Sequence, residues 1–223
     1  MTEKRRTGAA QESVQPEPQE APLIENRKLF VLVAIVLGII LAVFAMKFFL
    51  KDQGASYPHY TYNGYEFYQY AGLWNTEWQQ ANKLYQVHIR YGPRESEDVQ
   101  VFEGPDVTFN PQGKLYLTHD PAEGGLGYVA LASAELSLTL SQVFNITPIA
   151  ACTQNTTSAC ASRPIINCES NPGQGAVIYL KEIPDPAETA IILNGNCMQV
   201  QGSREELVRA ADKVIWIWYG IIK

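Results

Sequence analysis

The side chains with the greatest chemical potential in this sequence are three histidines, their acidic neighbours and four cysteines. His119 and Asp120 follow a predicted strand and precede a predicted helix, which is where α/β proteins place binding groups. They form a candidate catalytic pair, but no serine or cysteine nucleophile in a recognisable context accompanies them. His59 and His88 are expected to be packing or surface residues. The sequence therefore favours a non-catalytic protein and keeps an enzyme with a site near His119 and Asp120 as the alternative.

Motifs for nucleotide binding, for zinc-dependent hydrolysis and for a nucleophilic serine are absent from the sequence. There is no Gly-x-Gly-x-x-Gly, Walker, His-Glu-x-x-His or Gly-x-Ser-x-Gly pattern. An acidic stretch could offer oxygen ligands to calcium, but it lacks the regular spacing of a calcium loop; it comprises Glu95, Glu97, Asp98, Glu103 and Asp106. A solvated acidic loop is the simpler interpretation. We expect no metal and no cofactor.

The four cysteines all lie in the C-terminal half of the chain, at Cys152, Cys160, Cys168 and Cys197. An even number confined to one region is typical of disulfides formed in an oxidising compartment. A zinc site is the rival, but structural zinc ligands usually come in pairs two to four residues apart, and these spacings are wider. Three pairings are open, and we favour Cys152 with Cys160 and Cys168 with Cys197.

Two glycosylation sequons are present, at 145–147 and 155–157. Pro148 makes the first a poor acceptor. Asn155 lies between two cysteines in a polar stretch and is the better candidate for a sugar. Both sequons fall in the region that carries the cysteines.

An uncharged apolar run of 18 residues extends from Leu29 to Met46. As a helix it would be about 27 Å long, close to the ~30 Å thickness of a bilayer's hydrocarbon core. We predict a transmembrane helix over 29–50 that contacts the lipid bilayer. A cleaved signal peptide is the rival, but its apolar region is usually shorter and follows a shorter leader. An uncleaved signal anchor is therefore favoured.

The predicted helix divides the chain into four segments. Residues 1–28 form a tail rich in Gln, Glu, Pro, Ala and Ser, which cannot bury enough apolar surface to fold. Residues 51–56 form a linker, and residues 57–223 form a disulfide-stabilised domain. Positive charges next to the helix are balanced on its two sides, so they do not fix its orientation. The one-sided cysteines do, and they predict a cell-membrane protein with a cytoplasmic N-terminus and an extracytoplasmic domain.

Charge excludes one class of partner. From residue 53 onward the chain holds five Lys, five Arg and seventeen acidic residues, a net charge of −7. A protein that binds nucleic acid needs clustered Lys and Arg to displace counterions from phosphates. We therefore expect no nucleic-acid partner.

The outer domain is expected to have an α+β fold with a Tyr-rich antiparallel region. Residues 60–67 read as a hairpin because Asn63-Gly64 suits a type I′ turn. Helices are predicted over 126–142 and 204–219, the second with a capping box formed by Ser203 and Glu206. Strands on both sides of the first helix could form a parallel βαβ unit.

Tyrosines are concentrated at the start of this domain, where residues 57–91 hold eight of the chain's twelve. Strand faces alternate, so the rings cannot all point inward. Tyrosine is enriched at interfaces, and the candidate binding residues are Tyr60, Tyr62, Tyr65 and Tyr68. Packing within the domain or contact with the membrane surface are equally open interpretations.

Several stretches resemble a family of archaeal single-pass membrane proteins with no assigned activity. They lie at 62–67, 128–136, 148–153, 193–197 and 207–212. The resemblance covers most of residues 57–222 and implies an archaeal source and the same topology, but it carries over no catalytic residue. The sequence as a whole predicts a non-catalytic binding or structural domain of the cell envelope, with an envelope protein or polymer as its partner.

Overall fold

The computed structural model describes residues 26–51, 57–171 and 175–223, with side chains in the first range described for 27–47. The chain divides into two units, Met1–Ser56 and Tyr57–Lys223. In the first unit, α1 (Asn26–Lys51) is a continuous helix. Its stretch Arg27–Lys47 is long and apolar enough to cross a membrane by length and composition. The predicted tail up to residue 25 and the linker residues 52–56 lie outside the described residues.

The second unit begins with a four-stranded antiparallel sheet in chain order. Its strands are β1 (His59–Tyr62), β2 (Tyr65–Tyr70), β3 (Leu73–Gln80) and β4 (Lys83–Ile89). The turn between β1 and β2 has positive φ at both Asn63 and Gly64, 48° and 86°. The predicted hairpin with its Asn-Gly turn is therefore confirmed.

A second sheet has six strands in the order β5-β9-β10-β8-β6-β7. They are β5 (Gln100–Glu103), β6 (Leu115–His119), β7 (Ile149–Cys152), β8 (Ala176–Glu182), β9 (Ala190–Asn194) and β10 (Cys197–Gly202). The helices of this unit are α2 (Pro93–Ser96), α3 (Leu126–Gln142) and α4 (Glu205–Trp218). Four neighbouring strands, β10, β8, β6 and β7, are parallel, and β9 runs antiparallel to β10.

Strand β6, helix α3 and strand β7 form the parallel βαβ unit that the sequence suggested. The two strands are direct neighbours with Tyr116 opposite Ile149. Strand β8 lies on the other side of β6, so the chain leaves β6 in one direction and returns past it. Binding sites in open α/β sheets commonly lie beyond the carboxyl ends of strands at such a reversal.

One face of the six-stranded sheet packs against α3 and α4 and contributes to the main core. The helices contribute Leu136, Leu140, Leu207 and Trp216, which are at most 1% exposed, and the sheet contributes residues such as Ile178. The opposite face carries a smaller buried cluster of Tyr116, Ala151, Ile166, Val177 and Cys197. This second face is the one that positions the candidate site.

The predictions for the two ends of α4 had opposite outcomes. Its N-cap is Arg204, at φ 49° and without a side-chain cap, and the Glu206 carboxylate accepts hydrogen bonds from Arg209. The capping box predicted from Ser203 and Glu206 was therefore wrong, because Glu206 is engaged by a side chain one turn along the helix. The predicted end of this helix near residue 219 was right: Gly220 has φ 68°, and the Ile221 amide donates back to Trp216 O at 2.9 Å.

Two carboxyl groups meet in the interface between α3 and α4. Asp212 is fully buried, and its Oδ2 accepts a hydrogen bond of 2.8 Å from the Tyr91 amide. Burial, followed by a hydrogen bond with the Glu135 carboxyl, raises the pKa of Asp212 well above its usual range. Arg90 Nε lies 3.6 Å from Glu135 Oε1. Two carboxylates cannot donate to each other, so we infer that Asp212 keeps a proton that it donates to Glu135.

We expect Asp212→Asn to remove a pH dependence of stability. The raised pKa means that the folded state holds a proton which the unfolded state releases. The stabilisation is therefore complete below the ordinary pKa of a carboxyl and is lost as pH rises through the folded-state pKa. Asparagine keeps a donor for Glu135 at every pH. Thermal unfolding from pH 4 to 8 should show the variant gaining on the unmodified chain as pH rises.

Asp98→Asn is the matched control, with the opposite sign. Asp98 is exposed, and its hydrogen bond with Arg209 holds its pKa below the usual range. Its contribution is present above the ordinary pKa and is lost on acidification. An Asp212→Asn profile that runs parallel to that of the unmodified chain would exclude the shared proton.

Candidate functional site

A polar concavity of about 410 Å³ opens on the sheet face away from α3 and α4. We call it the polar basin; its lining residues are Asp120, Thr153, Gln154, Asn167, Cys168, Glu169, Tyr179, Lys181 and Gln199. They come from the ends of β6 and β7, from β8 and β10, and from the loop after β7. The basin therefore lies near the reversal in strand order around β6, where β7 lies on one side and β8 on the other.

Asp120 is fixed at the floor of the basin by two donors. Gln154 Nε2 donates to its Oδ1 at 2.6 Å, and the Ala122 amide donates to the same oxygen at 2.9 Å. A carboxylate held by neutral donors keeps its second oxygen as an acceptor for a ligand. The pairing joins the chain just after β6 to the chain just after β7.

Tyr179 is fixed in the same region by Glu123. The Tyr179 hydroxyl donates to Glu123 Oε1 at 3.1 Å, and the Glu182 amide donates to Oε2 at 3.0 Å. Burial, followed by the nearby Glu123 carboxylate, raises the pKa of Tyr179 far above its usual value. Burial also raises the pKa of Glu123. Tyr179 therefore remains a neutral phenol that presents its ring side to the basin.

Both disulfides lie beside the basin, and the favoured pairing is the one present. Cys152 is bonded to Cys160, and Cys168 to Cys197. The first constrains the chain around Thr153, and the second ties the basin wall to β10. The loop is held further because Thr118 Oγ1 donates to Ile166 O at 2.7 Å. The wall is thus covalently attached to the sheet.

Asn155 lies in the loop closed by the first disulfide and is exposed to solvent. Its accessibility is compatible with glycosylation, which stays a prediction.

His119 and Asp120 do not form one site. His119 lines a separate concavity together with α3 and Arg163, whereas Asp120 lines the polar basin. Adjacent residues at a strand end point to opposite faces, so the sheet separates them. Burial, with Arg163 as the next cause, lowers the pKa of His119. The imidazole is therefore neutral at physiological pH and is not oriented by its neighbouring carboxylate.

The four candidate tyrosines are divided between the two faces of the first sheet. Tyr60, Tyr62 and Tyr65 are partly buried and pack against the main core. The Tyr60 ring stacks on Phe67 at 5.2 Å, and burial raises the pKa of Tyr60 to about 12. These three rings contribute to packing within the domain, which was one of the open interpretations.

Tyr68 lies on the outer face of that sheet and is 43% exposed. Tyr70 and Tyr57 accompany it, with their rings in edge contact at 5.5 Å between centroids. Of the four predicted binding tyrosines, Tyr68 is the one whose ring is available to a partner.

The acidic stretch has structural roles in the described chain. Glu95 Oε2 accepts from Trp74 Nε1 at 2.7 Å, Glu97 accepts from Tyr62 at 3.4 Å, and Asp98 pairs with Arg209. Within the part of the chain that the structure describes, no group of three or more His, Cys, Asp or Glu side chains could hold a metal ion. The stretch fastens α2 and its neighbours to the rest of the domain.

Most lining residues of the polar basin were missed by sequence reasoning, which named only Asp120 and Cys168 among them. Tyr179 and Lys181 occupy alternate positions in β8, as Gln199 and Gln201 do in β10, and that alternation was the available signal. It does not reveal that the loop after β7 folds over the same face. Comparison with protein-family models, curated proteins and solved structures finds no match. The assignment of function therefore depends on the geometry of the site.

Proposed function

We propose that this chain is a membrane-anchored, extracytoplasmic binding protein of the cell envelope, and that the polar basin binds a hydroxyl-rich envelope polymer, a glycan. The observation that carries the proposal is the lining of the basin, where carboxylate, amide and ammonium groups converge in about 410 Å³ beside the Tyr179 ring. Sugar hydroxyls both donate and accept hydrogen bonds, and this mixture of side chains provides partners for both roles. α1 holds the domain at the membrane.

The positions of the lining groups support recognition of several hydroxyls at once. Asp120 presents an acceptor, Lys181 a donor, and Gln199 both. Because Gln154 and Glu123 already hold Asp120 and Tyr179 in place, little side-chain freedom is lost when a ligand binds. Preorganisation of this kind favours affinity for a small polar segment of a longer polymer.

The outward orientation has separate support. The two disulfides need an oxidising compartment to form and persist. An apolar helix long enough to span a bilayer precedes the domain. The bilayer is thus the first partner, and the envelope polymer is the second.

The alternative is an envelope enzyme that uses Asp120. It no longer includes His119, which lines a different concavity. Catalysis at Asp120 would consume the bound glycan, whereas a binding site would release it intact. Chromatography of the oligosaccharide after incubation distinguishes the two functions.

The test uses the full chain in lipid nanodiscs and titration calorimetry with soluble oligosaccharides of three classes: neutral hexose, N-acetylhexosamine and hexuronate. We expect one class to bind and to be recovered unchanged. Asp120→Asn and Lys181→Ala should each weaken binding about tenfold or more, since each removes a charged partner of a hydroxyl.

Two exposed residues that do not line the basin provide matched controls. Asp106→Asn and Lys83→Ala change the same residue types outside the basin and should leave affinity unchanged. Failure of all three oligosaccharide classes to bind, or equal binding by Asp120→Asn and the unmodified chain, would contradict the proposed function.

A further inference from the structure

Within the described residues, strand β5 lies at one edge of the six-stranded sheet and has β9 as its only neighbour in that sheet. All four of its residues are exposed, including Val101 at 38% and Phe102 at 47%. Edge strands are usually protected by lysine, proline or a covering element, because their free amides and carbonyls can pair with another chain. β5 has two adjacent exposed apolar residues instead.

The direction of its backbone groups follows from one hydrogen bond. The Gly104 amide, just beyond β5, donates to Leu193 O on β9 at 2.8 Å. Amides alternate in direction along a strand, so the Phe102 amide also points to β9. The amides of Val101 and Glu103 point the other way, to the free edge.

A groove of about 460 Å³ lies beside this edge; we call it the edge groove. Val101 contributes to one wall, and Ile217 and Trp218 of α4 contribute to the other. The floor is apolar, formed by Ile191, Leu193 and Met198. A strand paired with β5 would place every second side chain over this groove.

The wall formed by β5 is held in place by Lys213. Its Nζ donates to Glu97 O at 2.8 Å and to Val99 O at 2.6 Å. These bonds attach the chain just before β5 to α4. The edge groove is therefore preformed and needs little rearrangement to accept a ligand.

Other strand edges of this unit are better protected. At β7, the Cys152 amide donates to Pro164 O at 3.1 Å, and the Ile166 amide donates to Cys152 O at 2.9 Å. β4 begins with the exposed Lys83, and Pro58 directly precedes β1. β5 thus combines an open edge with an adjacent apolar groove.

We propose that β5 and the edge groove form a docking site for an extended segment of a partner protein, which adds to the sheet as a further strand. Its alternate side chains are apolar and fill the groove, and it carries Lys or Arg that pair with Glu103 and Asp106. Neither of these carboxylates has an ion pair within the described residues. The excess of acid in the domain also favours a basic segment.

A second copy of this chain is a poorer occupant. Pairing of two β5 strands would bring together two domains of net charge −7, each with Glu103 and Asp106 beside its free edge. Like charges on neighbouring strands repel. A basic peptide removes that repulsion and provides the same backbone hydrogen bonds.

The experiment selects 12-residue peptides from a random phage-displayed library on the full chain in lipid nanodiscs, with prior depletion on nanodiscs carrying Val101→Pro. Proline removes an amide that points to the free edge and leaves the β9 pairing intact. We expect the enriched peptides to alternate apolar residues and to contain Lys or Arg. Amide exchange should then slow at Val101 and Glu103 when a selected peptide binds.

The affinity of the selected peptide for variants of the chain tests whether the peptide binds in the edge groove or elsewhere on the surface. Ile217→Glu and Trp218→Ala should each weaken it about tenfold or more. Phe102→Ser lies on the other side of the same strand and should have little effect. Thermal unfolding verifies that each variant is folded. The proposal would be overturned if no peptide is enriched over the Val101→Pro nanodiscs, or if both folded groove variants bind the selected peptide with unchanged affinity. It would also be overturned if Val101→Pro abolishes self-association of the chain without affecting peptide binding.

Discussion

Trp216→Ala should lower the free energy of unfolding of the domain formed by residues 57–223 by about 3–5 kcal/mol, the range for removal of a large buried aromatic side chain. Trp216 is fully buried in the main core. Its ring packs edge-on against Phe67 at 5.5 Å, and its Nε1 donates to Tyr91 O at 2.8 Å. The substitution removes apolar contacts and leaves a buried carbonyl without its donor.

The loss should be cooperative because Trp216 connects two layers. Phe67 belongs to β2 of the four-stranded sheet, whereas Trp216 belongs to α4, which packs on the six-stranded sheet. Denaturant titration followed by circular dichroism measures the effect. Trp218→Ala is the matched control, since Trp218 is only partly buried, and it should cost less. Equal losses for both variants would contradict a special role for Trp216.

Replacing the second disulfide through Cys168→Ala together with Cys197→Ala should destabilise the domain by about 3–4 kcal/mol. The bond closes a loop with a sequence separation of 29, and a longer closed loop restricts the unfolded chain more strongly. Cys152→Ala with Cys160→Ala opens a loop with a separation of only 8. That pair should cost about 2–3 kcal/mol by the same reasoning. Denaturant titration of both variants checks the order.

Alkylation of the cysteines of the unmodified chain in native membranes tests whether the domain faces an oxidising compartment, which the proposed orientation requires. Under non-reducing conditions we expect no cysteine to react, and after reduction all four should react. Four reactive thiols without reduction would place the domain in a reducing compartment and would remove the main support for an outward orientation. A larger loss from the short loop than from the long one would show that local packing, and not loop length, sets the stability.

The local elements could be predicted because their information is local. The Asn63-Gly64 turn depends on two residues that tolerate positive φ, and α3 over Leu126–Gln142 follows from apolar residues at helical spacing without Gly or Pro after its first turn. The end of α4 at Gly220 is of the same kind. The capping box failed because Glu206 had a competing partner, Arg209, one helical turn away.

The candidate site could not be predicted in the same way. Residues of the polar basin come from β6, β7, β8 and β10, and from the loop after β7. Their proximity depends on strand order, which brings β8 back past β6 instead of beyond β7. His119 and Asp120 show the converse, because neighbours in sequence were expected to act together and the pleat of the strand directs them apart.

The sequence by itself determined the apolar helix, the mixed α/β character of the domain that follows it and the Tyr-rich hairpin, and it favoured one of three disulfide pairings. These follow from composition, periodicity and spacing along the chain. Only the tertiary structure decided which of the four candidate tyrosines is exposed, that the buried Asp212 lies beside Glu135, and that a polar basin and an edge groove exist. Each of those depends on which strand faces and helix surfaces meet, and that is set by packing between segments far apart in sequence.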